Sequence, residues 1–120
     1  MSKRSPEREQ FYREVLTTAV EGGINYWITD FRSVERDADG WVTGLTVCDD
    51  EGVPRSCDID GVARGWGLFQ GLLKAGQHNG WGTSPDQLIE RSGNFEDLDI
   101  DASNADDIVQ LAIFGEIIYA

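Results

Sequence analysis

Between Phe11 and Val20 the apolar positions recur at helical spacing: Phe11, Tyr12, Val15, Leu16, Ala19 and Val20 share one face. In front of them Ser5-Pro6-Glu7 supplies an N-cap, a proline at the first helical position and an acid in the first turn. The pattern predicts a helix over 6–21, ended by Gly22-Gly23 through a positive-φ residue. At Ile24 the period falls to two. Ile24, Tyr26 and Ile28 alternate with Asn25, Trp27 and Thr29, so a strand is expected to about Val34, with Tyr26 and Trp27 on opposite faces.

Asp37-Ala38-Asp39-Gly40 is a turn signal, and the β-rich run from Trp41 to Cys48 follows it as the second strand of a hairpin. Strict alternation places Val42 and Thr46 on one face and Trp41, Thr43, Leu45 and Val47 on the other. Asp50 to Pro54 forms a second turn before a third strand, 55–59. Closing that turn with Asp50 opposite Arg55 sets Cys48 opposite Cys57. With no export signal in the polar N-terminus, these two cysteines are expected as reduced, partly buried thiols.

The helical period then returns. Asp60 is the expected cap of a segment in which Val62, Trp66, Phe69 and Leu73 share a face, ending at Gly76. Its glycines, Gly61, Gly65, Gly67 and Gly71, each lower helix propensity by roughly 1 kcal/mol relative to alanine, which points to close approach of another backbone. Ser84-Pro85-Asp86-Gln87 has the form of a capping box opening a short helix to Arg91. After an acidic loop, 94–104, Ser103 or Asn104 is expected to cap a last helix carrying Ile108, Leu111, Ala112 and Gly115; residues 116–119 are left between helix and a fourth strand. The whole is a single α+β domain over 1–120: a small three-stranded antiparallel meander with helices packed on one face.

Charge adds a constraint. The net charge is −12, and residues 37–120 carry all of it, because residues 1–36 hold six basic and six acidic side chains. An acidic surface repels nucleic acid and anionic membranes and attracts basic partners over about 8–10 Å. Solubility alone accounts for such a bias; so does mimicry of nucleic-acid charge.

Catalytic and metal signatures are sparse. His78 is the only histidine, no GxSxG is present, and three Cys and His residues in all give no zinc set. No cofactor is implied. Gly65 to Gly71 departs from a dinucleotide fingerprint by one position. Asp97, Asp99 and Asp101 reproduce the first three ligand positions of a calcium loop, but Ala102 replaces its glycine and Ile108 its glutamate. Glu21, at the end of the first helix, and Glu116, in the apolar C-terminal segment, are the carboxylates with local context; Glu116 is expected to be buried and paired with Arg32 or Arg64.

TAVEGGINYW and ADDIVQLAIFGEIIYA resemble the two ends of small orphan proteins of actinobacterial phages, over roughly residues 16–30 and 101–120. The resemblance implies no activity. It implies a context: a phage accessory protein in the host bacterial cytoplasm, acting on host machinery or host defence.

Two readings of function follow. One is a non-enzymatic acidic protein that occupies a basic surface on a host protein and inhibits or redirects it, as a charge mimic of DNA does. The other is a binder of a small nucleotide signal, with Tyr26, Trp27, Trp66 or Trp81 stacked on the base, glycine backbone amides at the phosphates, and Arg32, Arg36 or Arg64 gathered locally to offset the acidity. Direct nucleic-acid binding and membrane insertion are not expected, and a homo-oligomer is compatible with either reading.

Overall fold

The computed structural model describes residues 4–98 and 100–119. Helix α1 spans Pro6–Thr18, capped by the Ser5 hydroxyl, which accepts from the Arg8 amide at 3.2 Å. It does not stop on a positive-φ glycine. Ala19–Gly23 form one wide π turn, and neither Gly22 nor Gly23 has positive φ. Gly23 serves a different need: a Cβ there would lie 2.6 Å from the Ala102 carbonyl oxygen, so only glycine lets the last helix of the chain pass.

The strand expected from Ile24 is instead a turn, in which the Trp27 amide donates to the Ile24 carbonyl at 3.2 Å. A turn brings positions three apart to one side. Ile24 and Trp27 are therefore both buried, whereas Tyr26 is 56% exposed.

Strands β1 (Asp30–Arg36), β2 (Val42–Cys48) and β3 (Pro54–Asp58) form an antiparallel meander in that order. Gly40 and Gly52 occupy the left-handed positions of its two turns. Alternation along β2 is interrupted: Glu35 pairs with Gly44 and Arg36 with Val42, which leaves Thr43 as an extra residue. Such a bulge rotates the strand, so Val42, Leu45 and Val47 all reach the core. Where the ladder is disturbed, the Thr17 hydroxyl of α1 accepts the Val42 amide at 2.8 Å.

The second turn also closes tighter than expected. Asp49 Oδ1 accepts the amides of Glu51 and Val53, each at 2.9 Å, and pulls Pro54 opposite Cys48. Cys57 thus faces Leu45, not Cys48, and both cysteines are free and buried.

Helix α2 spans Ile59–Lys74 and is capped by Asp58 rather than Asp60. Val62, Trp66, Phe69 and Leu73 are buried along it, and Gly76 (φ +71) follows its end. Gly65 is where α3 (Ala102–Phe114) crosses: a Cβ there would lie 2.2 Å from the Ile108 carbonyl oxygen. Gly67 and Gly71 face open space.

No helix runs from Ser84 to Arg91. A single turn at Pro85–Gln87 forms without a side-chain cap. The Gln70 side chain holds the following segment to α2 by donating to the Leu88 carbonyl and accepting the Glu90 amide.

Asp101 caps α3 in a reciprocal pair with Asn104, two or three residues before the expected cap. Gly115 (φ +75) ends it. No fourth strand forms among the described residues, because the Ile118 and Tyr119 amides donate to Gln110 Oε1 at 2.8 and 2.7 Å rather than to a strand edge.

Candidate functional site

Helix α3 carries Asn104, Asp106, Asp107 and Gln110, all buried. Buried acids are rare unless paired, so their partners matter. Asp106 accepts the Trp27 indole N–H at 2.8 Å and the Gln110 amide at 3.0 Å on Oδ1, and the Tyr26 hydroxyl at 2.7 Å on Oδ2. Asp107 accepts His78 Nε2 and the Trp81 indole N–H on Oδ2, both at 2.5 Å.

His78 Nδ1 accepts the Gly80 amide at 2.9 Å, which leaves the ring proton on Nε2 and the imidazole neutral. Both ring nitrogens are engaged. Asn104 donates to the Gly80 carbonyl, and Gln110 donates to the Tyr119 carbonyl as well. The polar side chains of one helix thus tie down three irregular segments: 24–27, 78–81 and 117–119.

Burial pushes the Asp106 carboxyl above the usual carboxylate range, against the pull of its three donors; the neighbouring Asp107 adds to the rise. Tyr26 is raised by burial and then by its bond to Asp106. The two carboxylates stand side by side with no Lys or Arg paired to either among the described residues. Buried Asp49 differs: Arg55 lies 3.1 Å away, and hydrogen bonds, led by the Val53 amide, hold its carboxyl below the usual range.

A cleft of about 310 Å³ opens beside the pair, lined by Tyr26, Trp81, Ser103, Asp106 and Asp107. A larger groove of about 680 Å³ lies between α1 and residues 93–100. Phe11, Val15, Phe95, Leu98 and Ile100 give it an apolar floor, and Glu7, Glu14, Glu96 and Asp97 an acidic rim. Among the described residues neither is lined by Lys or Arg.

The expected site residues divide between these places and others. Tyr26 and Trp81 meet at the small cleft, and Asp97 lines the groove. Trp27 and Trp66 are core residues. Trp27 stacks on Tyr119 at 5.0 Å, and Trp66 packs edge-on to Phe11 while donating to Glu90 at 2.8 Å. Arg32 pairs with Asp30 on exposed β1.

Glu116 is exposed, not buried as expected, and Glu21 is exposed within the π turn. The left-handed turn at Gly115 takes Glu116 off the helix, so the expected pairing with Arg32 or Arg64 does not form. Asp101 is spent on capping α3, and Asp99 lies outside the described residues. No group of three His, Cys, Asp or Glu among the described residues is placed to hold a metal ion.

Asp106, Asp107, Gln110 and His78 are absent from the expected site. A signal for them exists: Asn104, Asp107, Ile108 and Leu111 follow the i, i+3, i+4, i+7 spacing of a single helical face, which puts polar groups on the buried stripe. Comparison of the chain with protein-family models, curated proteins and solved structures finds no match.

Proposed function

We propose that this chain is a non-enzymatic acidic binding protein that docks a basic segment of another protein, as a phage accessory protein would dock a host protein in the bacterial cytoplasm. The groove between α1 and residues 93–100 is the observation that carries this reading: an apolar floor rimmed, among the described residues, by four acids and by no basic side chain. Such a rim steers a basic partner and rejects anionic competitors, while apolar contact with the floor supplies the affinity. Occupying a surface meant for nucleic acid would inhibit or redirect its owner.

Less supports a nucleotide-binding role. Of the expected arginines Arg32, Arg36 and Arg64, the first two are engaged with Asp30 and with the Gly40 carbonyl, and two of the four candidate stacking aromatics are in the core.

The test is capture of partners from bacterial lysate on the wild-type protein and on a Glu7→Lys, Glu14→Lys, Glu96→Lys variant, at rising salt. The expected partner is retained by wild type at low salt, released as salt rises, and not retained by the variant. Retention that ignores both salt and charge reversal overturns the proposal.

A further inference from the structure

We infer that the cleft beside Asp106 and Asp107 is a receptor for a single organic cation, a guanidinium or alkylammonium headgroup. The inference goes beyond the docking groove, with which this cleft shares no lining residue.

Charge is the first argument. Three donors converge on the Asp106 carboxyl, which favours its ionised form against burial, and the neighbouring Asp107 accepts two more hydrogen bonds on one oxygen. Two adjacent anions in a low-dielectric interior call for a counter-charge. Every donor to them is neutral: Tyr26, Trp27, Gln110, Trp81 and the Nε2–H tautomer of His78. The positive end of α3 helps little, since its field fades beyond the first turn and both acids lie in the second.

The second argument is an open acceptor. Asp107 Oδ1 takes no hydrogen bond among the described residues, and it is not among the fully enclosed polar atoms without a partner. The Asp107 side chain is only 2% exposed and lines the cleft, so this oxygen is reached from there. It is a nearly buried acceptor awaiting a donor.

Two aromatic rings are the third argument. Tyr26 is 56% and Trp81 48% exposed, unusual for large rings, and each has its polar end fixed to one of the carboxylates. Trp81 is held at φ +53, a conformation that L side chains rarely adopt, by the Asn79 side chain on its amide and Asp107 on its indole. Exposed tryptophan and tyrosine rings beside fixed negative charge attract ammonium and guanidinium groups through the ring quadrupole. At about 310 Å³ the cleft sits at the lower end of the roughly 300–1,000 Å³ span of ligand pockets, room for a headgroup.

The test uses the four indole N–H signals of the full chain in an ¹⁵N spectrum, titrated with tetramethylammonium, methylguanidinium, and short peptides with one central arginine or lysine. Saturable shifts are expected at Trp27 and Trp81, whose N–H groups bond to the two carboxylates, while Trp41 and Trp66 stay still. Tyr26→Leu should weaken binding about fivefold or more, and Tyr26→Phe, which keeps the ring, much less. The Trp66 signal, set by its bond to Glu90, reports that each variant is folded. A tighter peptide makes the headgroup a protein side chain, and equal affinity of the free headgroups makes it a small molecule; both support the site. Equal shifts at all four indoles, the same response to sodium chloride, saturation by adenosine monophosphate instead, or equal losses in the two Tyr26 variants each overturn it.

Discussion

Asp106 and Asp107 are neighbours in the chain, yet their carboxylates hold different parts of the fold: Asp106 takes the Trp27 indole at 2.8 Å and Asp107 the Trp81 indole at 2.5 Å. Consecutive helical residues point about 100° apart, so one dipeptide reaches both the turn after α1 and the loop after α2. The loops of this protein are positioned by a helix rather than by the sheet.

Because burial raises the Asp106 carboxyl, its charged form is favoured less in the folded protein than in the unfolded chain. Its contribution to stability is then fully present below the unfolded value and is lost as pH rises through the folded one. Asp106→Asn keeps an oxygen for Trp27 and Gln110 and offers a donor to the Tyr26 hydroxyl. A higher melting temperature than wild type is expected at pH 7, with the difference closing toward pH 4. Asp106→Leu, which leaves the Trp27 indole unpaired in the core, is expected to cost about 1–3 kcal/mol by urea denaturation.

The glycines of α2 should behave in two ways. Gly65→Ala drives a methyl into the Ile108 carbonyl and is expected to cost roughly 2–3 kcal/mol or to prevent folding. Gly67→Ala and Gly71→Ala meet nothing within 4 Å and should each stabilise by about 0.5–1 kcal/mol. Chemical denaturation of the three variants separates the crossing point from the open face.

Arg8 grips Glu90 through both guanidinium nitrogens, and this bond, with the Trp66 indole, holds the Glu90 carboxyl below its usual range. The sign is opposite to that of Asp106: the stabilisation is present above the unfolded value and is lost as pH falls through the folded one. Glu90→Gln should cost about 1–2 kcal/mol at pH 7, solvent screening keeping it at the lower end for a charged hydrogen bond. The difference from wild type should shrink in acid, read from melting temperatures between pH 7 and 3.

Cys57 is buried, and burial pushes its thiol up to about 12. In the ladder Cys48 pairs with Pro54 and Cys57 with Leu45, so the cysteines sit three residues apart along the sheet, roughly 10 Å at strand spacing and beyond disulfide reach. A thiol reagent at pH 8 is expected to leave Cys57 unmodified until denaturant is added, and mild oxidation to give no intramolecular disulfide by mass spectrometry.

Periodicity and local chemistry by themselves determined the α+β class, the meander with turns at Gly40 and Gly52, the start of α1 at Ser5-Pro6, and the buried stripe Val62, Trp66, Phe69 and Leu73. These features depend on neighbours in the chain: caps, left-handed glycines and an apolar face. Tertiary contact decided the rest. Ile24 to Trp27 alternates like a strand, but α3 supplies a buried carboxylate for the Trp27 indole and the Tyr26 hydroxyl, which a turn satisfies with one ring in the core and one outside. Val42 joins the core with Leu45 because a bulge shifts the register. Glu116 is expected to be buried among isoleucines and is not, whereas Asp106 and Asp107 are, since acids enter a core where donors converge on them, and for these two most of the donors come from distant segments. That convergence joins residues about 80 positions apart for Asp106 and under 30 for Asp107, separations that no local pattern encodes.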